Sequence, residues 1–151
     1  MVMITLKMRG IWSDEMLEER IKKNAEQLAN TLNAIKLLDE TLLNNLYELH
    51  DLYVEAMRLT GELMSDALYM KDTAYTDRKN KQAEIMLNEQ GTIAEREAKA
   101  ELEIKSYRDA EDKGNYTYTR YKARYKSLDH KLYDIKAKRA AMERDLQNTS
   151  K

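Results

Sequence analysis

Five tyrosines and a run of bases share one stretch of this chain. Tyr116, Tyr118, Tyr121, Tyr125 and Tyr133 are interleaved with Arg120, Lys122, Arg124 and Lys126. Aromatic rings stack on unpaired nucleobases and cations neutralise phosphates, so these types in this order could contact DNA. A structural assignment competes with that one. Tyr118, Tyr121 and Tyr125 stand at the spacing of a helical seam, and an acidic stretch earlier in the chain is available to engage the bases.

Other chemistry is sparse. The two histidines, His50 and His130, have Glu48, Asp51, Asp129 and Asp134 nearby in sequence, which suits a metal ion by donor type. The Glu-x-x-His signature of di-metal bundles is missing, because residue 47 is Tyr and residue 127 is Ser. There is no Cys, no Gly-rich phosphate loop and no nucleophile–base constellation. The expectation is a protein without catalytic, cofactor or metal-site residues and without a small-molecule substrate. Near the middle of the chain, Lys71, Arg78, Lys79, Lys81 and Gln82 make a polar segment that is either solvated or a contact point.

The elements that must position these residues are helices. Steps of 4 and 3 from Ala100 reach Ile104, Tyr107, Glu111, Gly114, Tyr118, Tyr121, Tyr125, Leu128, Leu132, Ile135, Arg139, Met142 and Leu146. This 4,3 spacing is the narrow apolar stripe of a coiled coil. An earlier stripe runs through Leu28, Leu32, Ile35, Leu42, Leu46, Leu49, Tyr53, Met57, Met64, Leu68 and Tyr75. The chain has no Pro and only four Gly, and 35% of its residues are charged, a composition that permits long helices. Net charge is −1, so global charge does not direct it to polyanions. No segment approaches a membrane span or a signal peptide in pattern, so a cytoplasmic protein is expected.

Between the stripes stands Gly91-Thr92-Ile93-Ala94-Glu95. Gly91 suits the left-handed residue that ends a helix, and Thr92 with Glu95 spells a capping box for the next. The spacing predicts one helix over 13–90 and another over 93–147, joined by a tight turn near 88–92. Ser13 can cap the first helix, with Trp12 and Leu17 as a hydrophobic staple. Residues 1–12 alternate weakly and read as an N-terminal arm, and 148–151 as a disordered tail. Folding back at Gly91 lays residues 37–66, with seven acids and one base (net −6), beside 117–146, with nine bases and four acids (net +5). It sets Gly61 opposite Tyr121, Gly114 opposite Leu68 and Tyr69, and Glu111 opposite Lys71. The fold class expected is all-α, a long antiparallel coiled-coil hairpin completed to a bundle by oligomerisation. Helix lengths motivate the last step. The first helix overhangs the second by about 22 residues, roughly 33 Å, and that overhang carries Leu17, Ile21, Leu28, Leu32 and Ile35. A homo-oligomer, dimer or larger, is expected on this face; a client protein or a folded-back third helix are the alternatives.

The stretch Ala74 to Met142, and above all Gly91-Thr92-Ile93-Ala94-Glu95-Arg96-Glu97-Ala98-Lys99-Ala100-Glu101-Leu102, resembles small coiled-coil proteins encoded in the early replication and recombination gene regions of tailed bacteriophages. Those carry a similar turn before an Ala- and Arg-rich second helix; the Tyr-rich seam and long first helix depart from that pattern. The resemblance implies a phage-encoded accessory protein in the host cytoplasm that binds a replication, recombination or host-defence protein. It transfers no functional residues. The alternative function is a DNA-binding accessory factor that uses the basic, Tyr-rich second helix.

Overall fold

A computed structural model describes residues 14–88 and 90–151, which form four helices: α1 (Asp14–Lys36), α2 (Leu43–Asn88), α3 (Ile93–Glu103) and α4 (Lys105–Thr149). The protein is all-α, and its long helices α2 and α4 pack as an antiparallel hairpin. The expected arm over 1–12, the cap at Ser13 and the staple residue Trp12 lie outside the described residues. Contacts divide the chain into two units, one of residues 1–63 with 124–151 and one of residues 64–123.

The first unit corrects the single helix expected over 13–90. The chain breaks at 37–42, between α1 and α2. Asp39 supplies the reason: its Oδ1 accepts from both the backbone N–H and the hydroxyl of Thr41, each at 2.8 Å. Such a local side-chain turn competes with helix continuation. The side-chain amide of Asn45 donates to the Asp39 carbonyl at 3.1 Å, which ties the turn to the start of α2. Beyond the break α1 folds back on α2. Asn24 is buried and donates to Glu62 Oε2 at 2.8 Å, and Leu28 is only 2% exposed. On α2, Leu46, Leu49, Tyr53, Ala56, Leu59, Thr60 and Leu63 are buried, and on α4 Leu128, Leu132 and Ile135. Lys138 pairs with Glu40, and the Tyr47 hydroxyl donates to Glu143. α4 continues to Thr149, past the expected end at 147, a difference within the ordinary fraying of a helix terminus.

The second unit is a helix pair with a thin seam. Its buried residues include Ala67, Ala74, Ile85, Ala100, Ile104 and Gly114. α3 and α4 are nearly continuous, because the Ile104 N–H reaches the Ala100 carbonyl at 2.9 Å and the Arg108 N–H reaches the Ile104 carbonyl at 3.0 Å. Polar residues enter the seam in pairs: Arg78 donates to Glu111 at 2.8 Å, and Lys81 lies 3.8 Å from Glu103.

The glycines correct the pairing register. Gly61 lies against Tyr125, one turn beyond the expected Tyr121, and Gly114 lies against the backbone of Lys71, just beyond the expected Leu68 and Tyr69. Glu111 meets Arg78, about two turns along α2 from Lys71 and within reach of the long Arg side chain. A slip of one turn returns a helix to the same face, so size and charge matching alone do not separate the two registers. The glycine sites differ in consequence. A Cβ at Gly114 would sit 3.0 Å from Lys71 Cα, whereas one at Gly61 would make an ordinary 3.8 Å contact with the Tyr125 ring. Gly114→Ala is expected to destabilise the protein by about 1–3 kcal/mol, and Gly61→Ala to stabilise it by up to about 1 kcal/mol through helix propensity. Urea unfolding of both variants checks the pair; equal effects would contradict the close approach.

Candidate functional site

Three sets of residues come forward from the sequence, and the structure treats each differently. The partner face of Leu17, Ile21, Leu28, Leu32 and Ile35 is not an open overhang. Leu17 and Leu28 are buried, and Ile21, Leu32 and Ile35 are half-buried. The folded-back arrangement brings α2 to this helix within one chain, because α1 is joined to α2 by a short turn and covering the stripe removes apolar surface from water.

The turn set is brought together. Gly91 has φ +115°, in the region that favours glycine. The Glu95 N–H donates to Thr92 Oγ1 at 3.2 Å, and the Thr92 N–H donates to Glu95 Oε2 at 2.7 Å, a reciprocal capping box. The Thr92 backbone N–H, and after it the Thr92 side chain, holds the Glu95 carboxyl below the usual carboxylate range. Its contribution is therefore present above that range and is lost as pH falls through the lowered value. Arg96 joins this set, although no motif marks it. Arg96 Nη1 donates to the Met86 carbonyl at 2.8 Å, one of the last-turn carbonyls of α2 that its own helix leaves without a partner. The signal was present, since a guanidinium one turn into the following helix can reach back to a negative helix end. Gly91, Thr92, Glu95 and Arg96 thus all serve the turn. Ile93, at 62% exposure, does not, and neither do Leu87 at 82% and Leu102 at 80%.

The basic set divides between the units. In the second unit Arg120 lies over the Tyr116 ring at 5.6 Å and Lys122 over Tyr118 at 6.0 Å. In the first, Arg124 and Lys126 are exposed, and no described carboxylate lies within 4.0 Å of either. The first unit's acids largely engage other groups: Glu55 and Glu62 hold Arg58 at 2.7 Å, and Glu40 holds Lys138. The expectation that acidic residues of the first stripe occupy the second stripe's bases is met at Lys138 and not at Arg124 or Lys126.

On the first unit a second surface appears that the sequence reading did not single out. Val54, Met57, Arg58 and Gly61 of α2 line an open groove of about 370 Å³ with Tyr125 and Leu132 of α4. Its signal was Gly61, which removes a side chain between two helices. Among the described residues no group of three or more His, Cys, Asp or Glu converges to hold a metal ion. His50 Nδ1 is 3.2 Å from Asp51 Oδ1. No described helix is long and apolar enough to cross a membrane.

Because Leu28 is covered within the chain, Leu28→Ala is expected to cost about 2–5 kcal/mol of unfolding free energy while leaving the sedimenting mass unchanged. A mass change without loss of stability would restore the open-face arrangement.

No family model, curated protein or solved structure matches the chain, so the exposed apolar and basic surfaces carry the functional reading.

Proposed function

We propose that this is a non-enzymatic interaction protein that docks a protein client on the turn-proximal end of its second unit. The exposure of Leu87, Ile93 and Leu102 supports the reading. Leu87 and Ile93 flank the α2–α3 turn and Leu102 stands near the far end of α3, and neither the capping network nor the helix seam uses them. Single exposed apolar residues are ordinary, but three large ones at one end of a helix pair suit an interaction site. The client that fits is an apolar groove or helix face able to bury them. The resemblance of the turn motif to early proteins of tailed phages supports placing that client among replication, recombination or host-defence proteins of a host cytoplasm.

Leu87→Glu with Leu102→Glu tests the site. Both positions face water, so helix content by circular dichroism should hold. Proteins retained by the immobilised wild type from phage-infected host extract should be lost with the double variant. Retention of the same proteins by both would reject this end as the docking site.

A second reading, DNA binding along α4, is favoured by the exposed Arg124 and Lys126, which lack acidic partners among the described residues. In that case log affinity for duplex DNA falls linearly with log salt. Changing both residues to Ala lowers the slope by about 0.9 per lost phosphate contact. Absence of binding at low salt leaves the client reading alone.

A further inference from the structure

We infer that the groove face of the first unit is a self-complementary dimer surface, and that its occupant is a second copy of this chain. The groove is apolar at its centre, where Val54, Met57 and Gly61 meet Tyr125 and Leu132. Val54 is 45% and Tyr125 36% exposed, so part of this apolar surface remains wet in a single copy. Tyr, Met and Arg are the residue types enriched at interface centres.

Charge selects the occupant. On α2 the groove stripe at helical spacing runs Asp51, Val54, Arg58, Gly61; on α4 it runs Tyr125, Asp129, Leu132, Lys136. With Gly61 against Tyr125 in antiparallel helices, Asp51 stands at the level of Lys136, and Arg58 at the level of Asp129, each within about one residue of helical rise. Neither pair closes within the chain. Asp51 is engaged with His50, Arg58 with Glu55 and Glu62, and no described partner lies within 4.0 Å of Asp129 or Lys136.

A two-fold axis parallel to the helices lays α2 of each copy on α4 of the other, antiparallel and at the same height. Asp51 then meets Lys136 of the second copy, Arg58 meets Asp129, and the symmetry makes each match twice. The broader balance agrees. Residues 43–63 carry four acids and one base, whereas 124–149 carry seven bases and four acids, so this stacking sets a net −3 strip on a net +3 strip. The alternative two-fold, α2 on α2, opposes like net charges. The face is about 20 Å long, the small end of specific interfaces, so a dimer in exchange with monomer at micromolar concentrations is expected.

Sedimentation equilibrium of the full chain tests this. The wild type should be dimeric at about 100 μM. Val54→Arg, at a half-exposed position, should raise the dimer dissociation constant at least about tenfold, a hot-spot-sized effect, with helix content unchanged by circular dichroism. Asp51→Lys should weaken the dimer, and Asp51→Lys combined with Lys136→Asp should restore it. The control Leu87→Arg, in the other unit, should leave the mass unchanged. A monomeric wild type at 100 μM, a dimer indifferent to Val54→Arg, a dimer lost with Leu87→Arg, or failure of the double charge swap would each overturn the inference.

Discussion

A helix in a two-helix pair can bury one stripe, and α2 in the first unit carries more than one. Leu59 and Thr60 are adjacent in sequence and both fully buried, which a single partner on one side does not accomplish when successive residues lie about 100° apart. α4 covers one side, where Gly61 meets Tyr125. α1 covers the other, where Asn24 reaches Glu62. The fold-back of α1 follows from this width. Leaving its stripe and the second face of α2 in water would forfeit apolar burial that no long helix extension could recover. The buried Thr60 hydroxyl stays satisfied locally, donating to the Ala56 carbonyl at 2.7 Å, so the packed face carries no unpaired hydroxyl there.

The second unit solves the opposite problem. It has two helices and little apolar mass between them, so it relies on close approach. Gly114 and the alanines Ala74 and Ala100 let the backbones come together, and the partly buried Arg78–Glu111 pair fixes the register across the seam. The turn is held independently of the seam. Thr92 and Glu95 satisfy the start of α3 while Arg96 attends to the end of α2. These hydrogen bonds cap both helix ends locally, without a large core behind them.

The two surfaces that remain open have different characters. The second unit exposes aliphatic residues near a turn, interspersed with charged ones such as Glu101 and Glu103 beside Leu102. The first exposes a groove in which apolar centre and alternating charge run along one helical spacing. The chain has ten tyrosines and no phenylalanine, and their rings range from Tyr53, buried, to Tyr133, exposed. Tyr47 shows how such a ring is used. Its face lies 5.2 Å from the Arg139 guanidinium, and its hydroxyl donates to Glu143, an arrangement that phenylalanine cannot make.

The fold class and the hairpin follow from local patterns. The absence of Pro, the 4,3 stripe from Ala100 to Leu146 and the Gly91-Thr92-x-x-Glu95 turn are local properties, and local properties are what helix periodicity and capping report. The break at Asp39 was legible in the same terms, since an Asp two residues before a Thr favours a turn, but an unbroken apolar stripe from Ile35 to Leu42 masked it. Three features depend on how distant segments meet in the folded chain. Tertiary packing chose the register, because a one-turn slip preserves every face match that a sequence offers. It covered Leu28 with α2 rather than with another chain, because that choice depends on a loop's reach and not on the stripe. And it left Arg124 and Lys126 without acidic partners among the described residues, because charge balance between segments does not say which long side chains come within reach of one another.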